Sequence, residues 1–279
     1  MSKEERPWFH WKTAIAWKNR ERIVVRGYDV NDLTGNVDFG EMTHLVLRGE
    51  LPSAEVAKMT NAMMVSLAEH AMSPSSATIR FATSGGASIN AALASGVAAI
   101  GSLHGTADRP AAMFLGVEKL IEEEGLSVHD AALRIVREMR ERRESMGGYH
   151  HPQHIQDPRT VRLLALAEEL KIAGKYVEIA AAMEDATVEV FKGRRLYLNG
   201  PGAMGCIGLD CGYEPIELKA MFIVARTLGL SAHHIEEAKR EKGWRASENS
   251  GMVQPLALEM QGEEWYDGPA DRRLPDAGR

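Results

Sequence analysis

Beyond its first thirty residues, the chain places apolar positions three and four apart, the spacing of helices that bury one face. The exception is near the start, where Ile23-Val24-Val25 stands between polar flanks and Arg26-Gly27-Tyr28-Asp29 reads as a turn, predicting a short hairpin. Asp38-Phe39-Gly40-Glu41 is a capped start into MTHLVLRG, closed by Gly49. Ser53 caps AEVAKMTNAMMVSLAEHA, with His70 at its end. Ser73 to Ser88 is small and polar. ASINAALASGVAAIGSLHG follows as a helix so rich in Ala and Gly that close packing on all sides is expected, with His104 and Gly105 terminating it.

Residues 107–124 and 127–144 give two more helices, the second with a solvated charged face REMRERRE. Thr160 to Gly174 and Tyr176 to Phe191 are amphipathic helices, Lys192 to Arg195 is a turn, and LYLNGPGAMGCIGLDCGY is a buried, glycine-dense segment. Pro215 begins a long helix in which Arg226 interrupts an apolar run. A charge placed there needs a partner or a ligand. From Glu248 the chain reads as irregular. There is no internal repeat or low-complexity tract, and the fold class is mainly α.

Candidate chemistry concentrates in Met146 to Arg159, MGGYHHPQHIQDPR. Gly147, Gly148 and Pro152 forbid a continuous helix, so His150, His151 and His154 sit on a constrained loop. Asp157-Pro158 then starts a helix as N-cap and first residue. Imidazoles beside a helix N-terminus and Arg159 suit an anionic ligand. HHxxH also offers three imidazoles to a metal, but Pro152 denies them helical spacing, no HExxH occurs and no carboxylate or Cys cluster completes a ligand set, so no metal is expected.

Composition narrows the classes. The 279 residues are 44% hydrophobic and 26% charged, an ordinary soluble balance with a core to bury. A net charge of −6 without a basic stripe argues against nucleic acid as a partner. Only two cysteines, Cys206 and Cys211, occur, so a reducing compartment is expected. The start MSKEERPWFHWK has no apolar core of a leader and no run of 18 apolar residues occurs, so neither export nor a membrane span is expected and the cytoplasm is the expected location.

IVVRGYDVNDLTGNVDFGEMTHLVLRGELPS, LAEH followed by ATIRFATS, AAIGSLHG, GYHHP with DPR, and FIVARTLG with GWR, in this order, resemble citrate synthase and more closely the short citryl-CoA lyase branch of that superfamily, including the lyase module of ATP-citrate lyase. The resemblance covers nearly the whole chain. It implies a two-domain helical protein, a homodimer, with residues 1–104 and 216–279 as the large domain and 105–215 as the small one. It also implies a cleft for a coenzyme A thioester and a polycarboxylate. His104 matches the donor to a thioester enolate, while His70, Arg159, Arg226 and, from the second subunit, Arg245 match carboxylate ligands. For the imidazole that exchanges a proton with the substrate oxygen, spacing from Asp157 selects His150 and the local pattern before Pro152 selects His151, which the constraint of the following proline favours. Gly147 and Gly148 are expected against the coenzyme. The chemistry agrees: an enolate needs a preorganised donor, and Arg is the bidentate partner of carboxylates.

One departure bears on function. Where family members read Leu-Asn-Val-Asp, with the Asp taking the α-proton, this chain has Leu198-Asn199-Gly200-Pro201, and proline carries no proton-transfer group. Asp210 and Glu214 are the nearest downstream acids, and Asp210 reads as structural. Thr106 replaces the second glycine after His104. Three readings follow: a C–C bond-making or bond-breaking enzyme acting on a 3-hydroxy polycarboxylyl-CoA with another proton carrier; a hydrolase or decarboxylase of a β-oxo or β-hydroxy acid; or a non-catalytic carboxylate-binding paralogue.

Overall fold

The computed structural model describes residues 12–104, 106–151 and 154–243. Arg245 and the tail from Glu248 lie outside the described residues. Three strands, β1 (Ala16–Lys18), β2 (Ile23–Val25) and β3 (Tyr28–Asp29), form an antiparallel meander with Trp17 opposite Val24 and Val25 opposite Tyr28. The expected hairpin thus has a third strand. Eleven helices follow among the described residues: α1 (Val30–Leu33), α2 (Phe39–Arg48), α3 (Ala54–Leu67), α4 (Pro74–Ser84), α5 (Ile89–Ala98), α6 (Asp108–Glu124), α7 (Val128–Glu141), α8 (Pro158–Glu169), α9 (Lys175–Val190), α10 (Gly200–Asp210) and α11 (Pro215–Arg240).

The sequence signals act where they stand. Asp38 and Glu41 close a reciprocal capping box on α2, Gly49 ends it in the left-handed region at φ 96°, and the Ser53 hydroxyl accepts from Val56 N–H at the start of α3.

The chain divides into two compact units, Met1–His70 with Ile100–Leu228 and Ala71–Ala99 with Gly229–Arg279. In the first, α10 is buried along its whole length and packs on α3, α6, α8 and α9. Its glycines make that possible: a Cβ on Gly202 would lie 2.2 Å from the Gly148 carbonyl oxygen, and one on Gly208 2.3 Å from Leu218. Around α10 stand Met59, Met63, Phe114, Met183 and Leu218, all fully buried. Each such side chain contributes roughly 1.5–3 kcal/mol by leaving water.

In the second unit, α4 packs on α5, with Ile79, Ala92 and Leu230 as its small apolar centre. Two expectations change here. The small, polar stretch after Ser73 is largely the helix α4. The Ala-rich helix ends at Ala98, six residues before His104, and only Ala92 and Gly96 of α5 are buried, so it is not packed on all sides within this chain.

Candidate active site

The histidine loop is built by main-chain pairing. Tyr149 and Leu198 form an isolated antiparallel bridge, His150 N–H donates to Tyr197 O at 2.7 Å, and Asn199 N–H donates to Gly148 O at 2.9 Å. The Asn199 amide also donates to His150 O at 2.8 Å, and the buried Tyr149 hydroxyl to Ala180 O at 2.9 Å. Gly148 is needed for packing: it sits at φ 88°, and a Cβ there would come within 2.6 Å of Pro110 Cβ and 2.9 Å of Gly202 Cα. Gly147 lies against Arg109, whose guanidinium donates to Ser102 O at 2.8 Å and so ties this loop to the segment carrying His104.

His150 and His151 diverge. His150 adopts the left-handed conformation, φ 63°, and is exposed. His151 is half-buried, with Nε2 at 3.0 Å from Nε2 of His70 and its ring stacked at 5.1 Å centroid separation. His70 lies three residues past the end of α3, its N–H donating to Glu69 Oε1 at 2.8 Å. On the other side His151 stacks on His154 at 4.5 Å, and His154 N–H donates to His151 Nδ1 at 3.2 Å.

Two guanidinium groups bear on these rings. Arg226 is buried, donates through Nε to Leu67 O at 3.0 Å and lies over the Phe222 ring at 5.1 Å, which answers the need for a partner raised by its place in an apolar run. Arg159 is held by Asp157: Nε meets Oδ1 at 3.0 Å and Nη2 meets Oδ2 at 2.6 Å. The same carboxylate caps α8 through Arg159 N–H and accepts Gly200 N–H at 2.9 Å, so it sits where the N-termini of α8 and α10 meet. Burial pushes the Asp157 carboxyl up, but its bonds to Arg159 and Gly200 outweigh this and bring it down to about 2.

The imidazoles of His70, His104 and His151 are shifted down. For His70 burial is the main cause, followed by the charge of Arg159; for His104, on the loop after α5, burial is joined by Arg226 and His70. For His151 burial leads, followed by His154 and His70. Neutral imidazoles beside fixed guanidinium groups can donate to, or accept from, an oxygen near neutral pH. Among the described residues no group of three or more His, Cys, Asp or Glu is placed to hold a metal ion.

The description "Citrate synthase, C-terminal domain" matches residues 52–247. The chain belongs to the citrate synthase family. A glyoxysomal citrate synthase of Cucurbita maxima is 30% identical over 241 residues, 82% of this chain and 43% of the relative. A putative citrate synthase 2 of Mycobacterium tuberculosis is 32% identical over 227 residues, 79% of this chain and 54% of the relative. The chain thus spans about half the length of the curated relatives it matches. The solved citryl-CoA lyase of Hydrogenobacter thermophilus superposes with a TM-score of 0.80 at 32% identity, covering 96% of this chain and 98% of that one.

Within this family fold, Pro201 occupies the first turn of α10, buried, one residue after Gly200. Three carboxylates on or near α10 each have a partner. Asp210 accepts N–H groups of Gly174, Tyr176 and Val177 at 2.9, 3.1 and 3.1 Å and so caps α9, which has no side-chain cap of its own. Glu184 accepts Leu198 N–H at 2.5 Å, and burial pushes its carboxyl up. Asp108, at the start of α6, pairs with Lys219 at 3.3 Å through Oδ2, while Oδ1 is buried without a hydrogen-bond partner, as is the Thr106 hydroxyl. Sequence reasoning took Asp157 only as a helix cap. Its grip on Arg159 two residues on was readable from the Asp-Pro-Arg spacing, and its bond to Gly200, 43 residues away, was not.

Proposed function

We propose that this chain makes or breaks a C–C bond in a 3-hydroxy polycarboxylyl-CoA of citryl type, giving acetyl-CoA and an oxoacid such as oxaloacetate. The observation that carries the reading is the convergence of His70, His104 and His151 on the field of Arg159 and Arg226 within one compact unit. His104 donates to the thioester oxygen as negative charge develops there, and His151 exchanges a proton with the hydroxyl or carbonyl oxygen; the exposed His150 does not. Arg159 and Arg226 take carboxylates, with Arg245 of a second subunit completing the set, and Gly147 and Gly148 face the coenzyme. The active form is a cytoplasmic homodimer whose cleft closes between 105–215 and the remainder. Coenzyme A enters as part of the substrate, and no resident metal is invoked.

Pro201 favours a second reading in which no α-proton is removed: hydrolysis or decarboxylation of a β-oxo or β-hydroxy acid on the same enolate-stabilising site. A carboxylate-binding role without turnover is the third. Incubation of the full chain with citryl-CoA separates them. Acetyl-CoA and oxaloacetate released in equal amounts support the first reading, free citrate and coenzyme A point to hydrolysis, and an unchanged thioester removes both catalytic readings of citryl-CoA.

A further inference from the structure

The two engaged nitrogens of His151 fix its protonation. A main-chain amide can only donate, so Nδ1, which meets His154 N–H at 3.2 Å, carries no proton. A neutral imidazole then bears its hydrogen on Nε2. That atom lies 3.0 Å from Nε2 of His70, a separation that holds one hydrogen between the two nitrogens. His70 therefore accepts through Nε2 and keeps its own hydrogen on Nδ1. We propose that His70 is a positioning residue that, together with the His154 N–H, holds His151 in its Nε2–H tautomer through one shared hydrogen, and that a polycarboxylate enters by opening this pair with uptake of one proton.

The net field at the pair is cationic. Arg159, on α8, and Arg226, on α11, oppose a second proton, and the neighbouring imidazoles His104 and His154 add to that opposition when charged. Asp157 favours the proton but is itself held by Arg159, and Glu69 lies next in the chain with its carboxylate on His70 N–H. A carboxylate arriving among the guanidinium groups offsets their field. It also needs donors, and His70 Nε2 presents a lone pair until it gains a hydrogen. Parting the rings frees that lone pair, the proton comes from solvent, and no other bond is made or broken. Anion affinity then rises as pH falls toward the lowered values at which the rings charge without a ligand. This goes beyond the proposed reaction and rests on that reading only for the choice of a polycarboxylate as ligand.

The test uses the full chain labelled with ¹⁵N-histidine, free of ligand, together with His70→Gln and His70→Phe. Gln retains an acceptor but cannot take a proton, and Phe retains neither. Wild type and His70→Gln are expected to show His151 as the pure Nε2–H tautomer, and His70→Phe a tautomer mixture. A His151 hydrogen on Nδ1 in the wild type overturns the positioning role, as does an unchanged spectrum in His70→Phe. Citrate titrated calorimetrically at pH 7.5 in two buffers of different ionisation enthalpy is expected to bring about one proton per citrate in the wild type and none in His70→Gln. Citrate binding without proton uptake overturns the coupling alone. Absence of citrate binding overturns the coupling and counts against the carboxylate reading of the site, while the tautomer measurement still decides the positioning role.

Discussion

The guanidinium of Arg159 lies on bare backbone at Gly200: a Cβ there would stand 2.8 Å from Arg159 Cζ and 2.9 Å from Nε. Glycine at 200 and the Asp157–Arg159 ion pair are therefore one device. Any side chain at 200 lifts the guanidinium off Asp157 and leaves a buried carboxylate short of a partner, a change that costs about 1–3 kcal/mol. Gly200→Ala is expected to lower the unfolding free energy by that amount and to weaken citrate binding about tenfold or more. Calorimetric affinity and a denaturant titration read the two effects separately.

Asp157 sets an acid limit on the fold. Its carboxyl lies at about 2 against an ordinary 3.8, a gap equivalent to roughly 2 kcal/mol. Because the folded value is the lower one, the stabilisation is complete above pH 4 or so and fades as pH falls from there toward 2. The side chain is 1% exposed, so solvent screening takes little away. Asp157→Asn should flatten the acid limb of stability against pH in that window, while the wild type keeps the slope. An identical limb in both would place the acid sensitivity elsewhere.

Asp210 offers a contrast, a carboxylate near α10 whose work is structural. It receives three N–H groups at the start of α9, where Gly174 supplies no side-chain cap. Removing such a cap costs about 1–2 kcal/mol. Asp210→Ala is expected to lower Tm by several degrees and, under the proposed activity, to keep kcat on citryl-CoA within about twofold of the wild type. A loss of kcat in a folded, fully liganded variant would instead give Asp210 a part in proton transfer.

The neutral state of the imidazoles yields a pH profile. His70, His104 and His151 are each shifted below 6.5, chiefly by burial. Lowered histidine values mean that folding favours the uncharged rings. Their contribution to stability is present above about pH 6.5 and is lost as pH falls through the lowered folded values. In ligand-free protein, NMR titration of the three rings should give midpoints below the ordinary imidazole value of 6.5. Midpoints at or above it would contradict the burial and the guanidinium field together.

Much of this was legible in the chain, and the exceptions have physical causes. The starts of α2, α3 and α8 were written in Asp38, Ser53 and Asp157, whose side chains satisfy N–H groups only a few residues away. The helix α4 was hidden because its buried positions include Ser75, Ser76, Arg80 and Thr83, so polar residues occupy the inner face and no apolar spacing marks it. Arg80 is met there by Glu236 at 2.7 Å and Glu237 at 2.8 Å from α11, partners more than 150 residues distant. Alanine and glycine in α5 permit close packing without requiring it on every side. In the candidate site, Pro152 favoured His151 over His150, but the left-handed turn at His150 that sends its ring outward depends on pairing with Tyr197 and Asn199, across a gap no local pattern records.

Position 201 gives the sharpest test of how far the chemistry has moved. Pro201 lies in the first turn of α10, after Asn199, whose side chain caps Gly202 N–H. A helix N-terminus tolerates Asp well, because its free N–H groups and dipole favour negative charge, and Arg159 packs against the preceding residue. Those contributions offset the burial of a carboxylate, so Pro201→Asp should fold with stability within about 1 kcal/mol of the wild type. If His104 stabilises the enolate as proposed, a carboxylate there is expected to raise exchange of acetyl-CoA methyl hydrogens with D₂O by two orders of magnitude or more, the usual scale for a positioned base. The measurement is deuterium incorporation by mass spectrometry, with oxaloacetate present and absent. Faster exchange would show that the site still presents the α-carbon to position 201. If the variant is folded, binds acetyl-CoA and exchanges no faster, the α-carbon sits elsewhere, and the readings that require no α-proton removal gain over C–C bond formation.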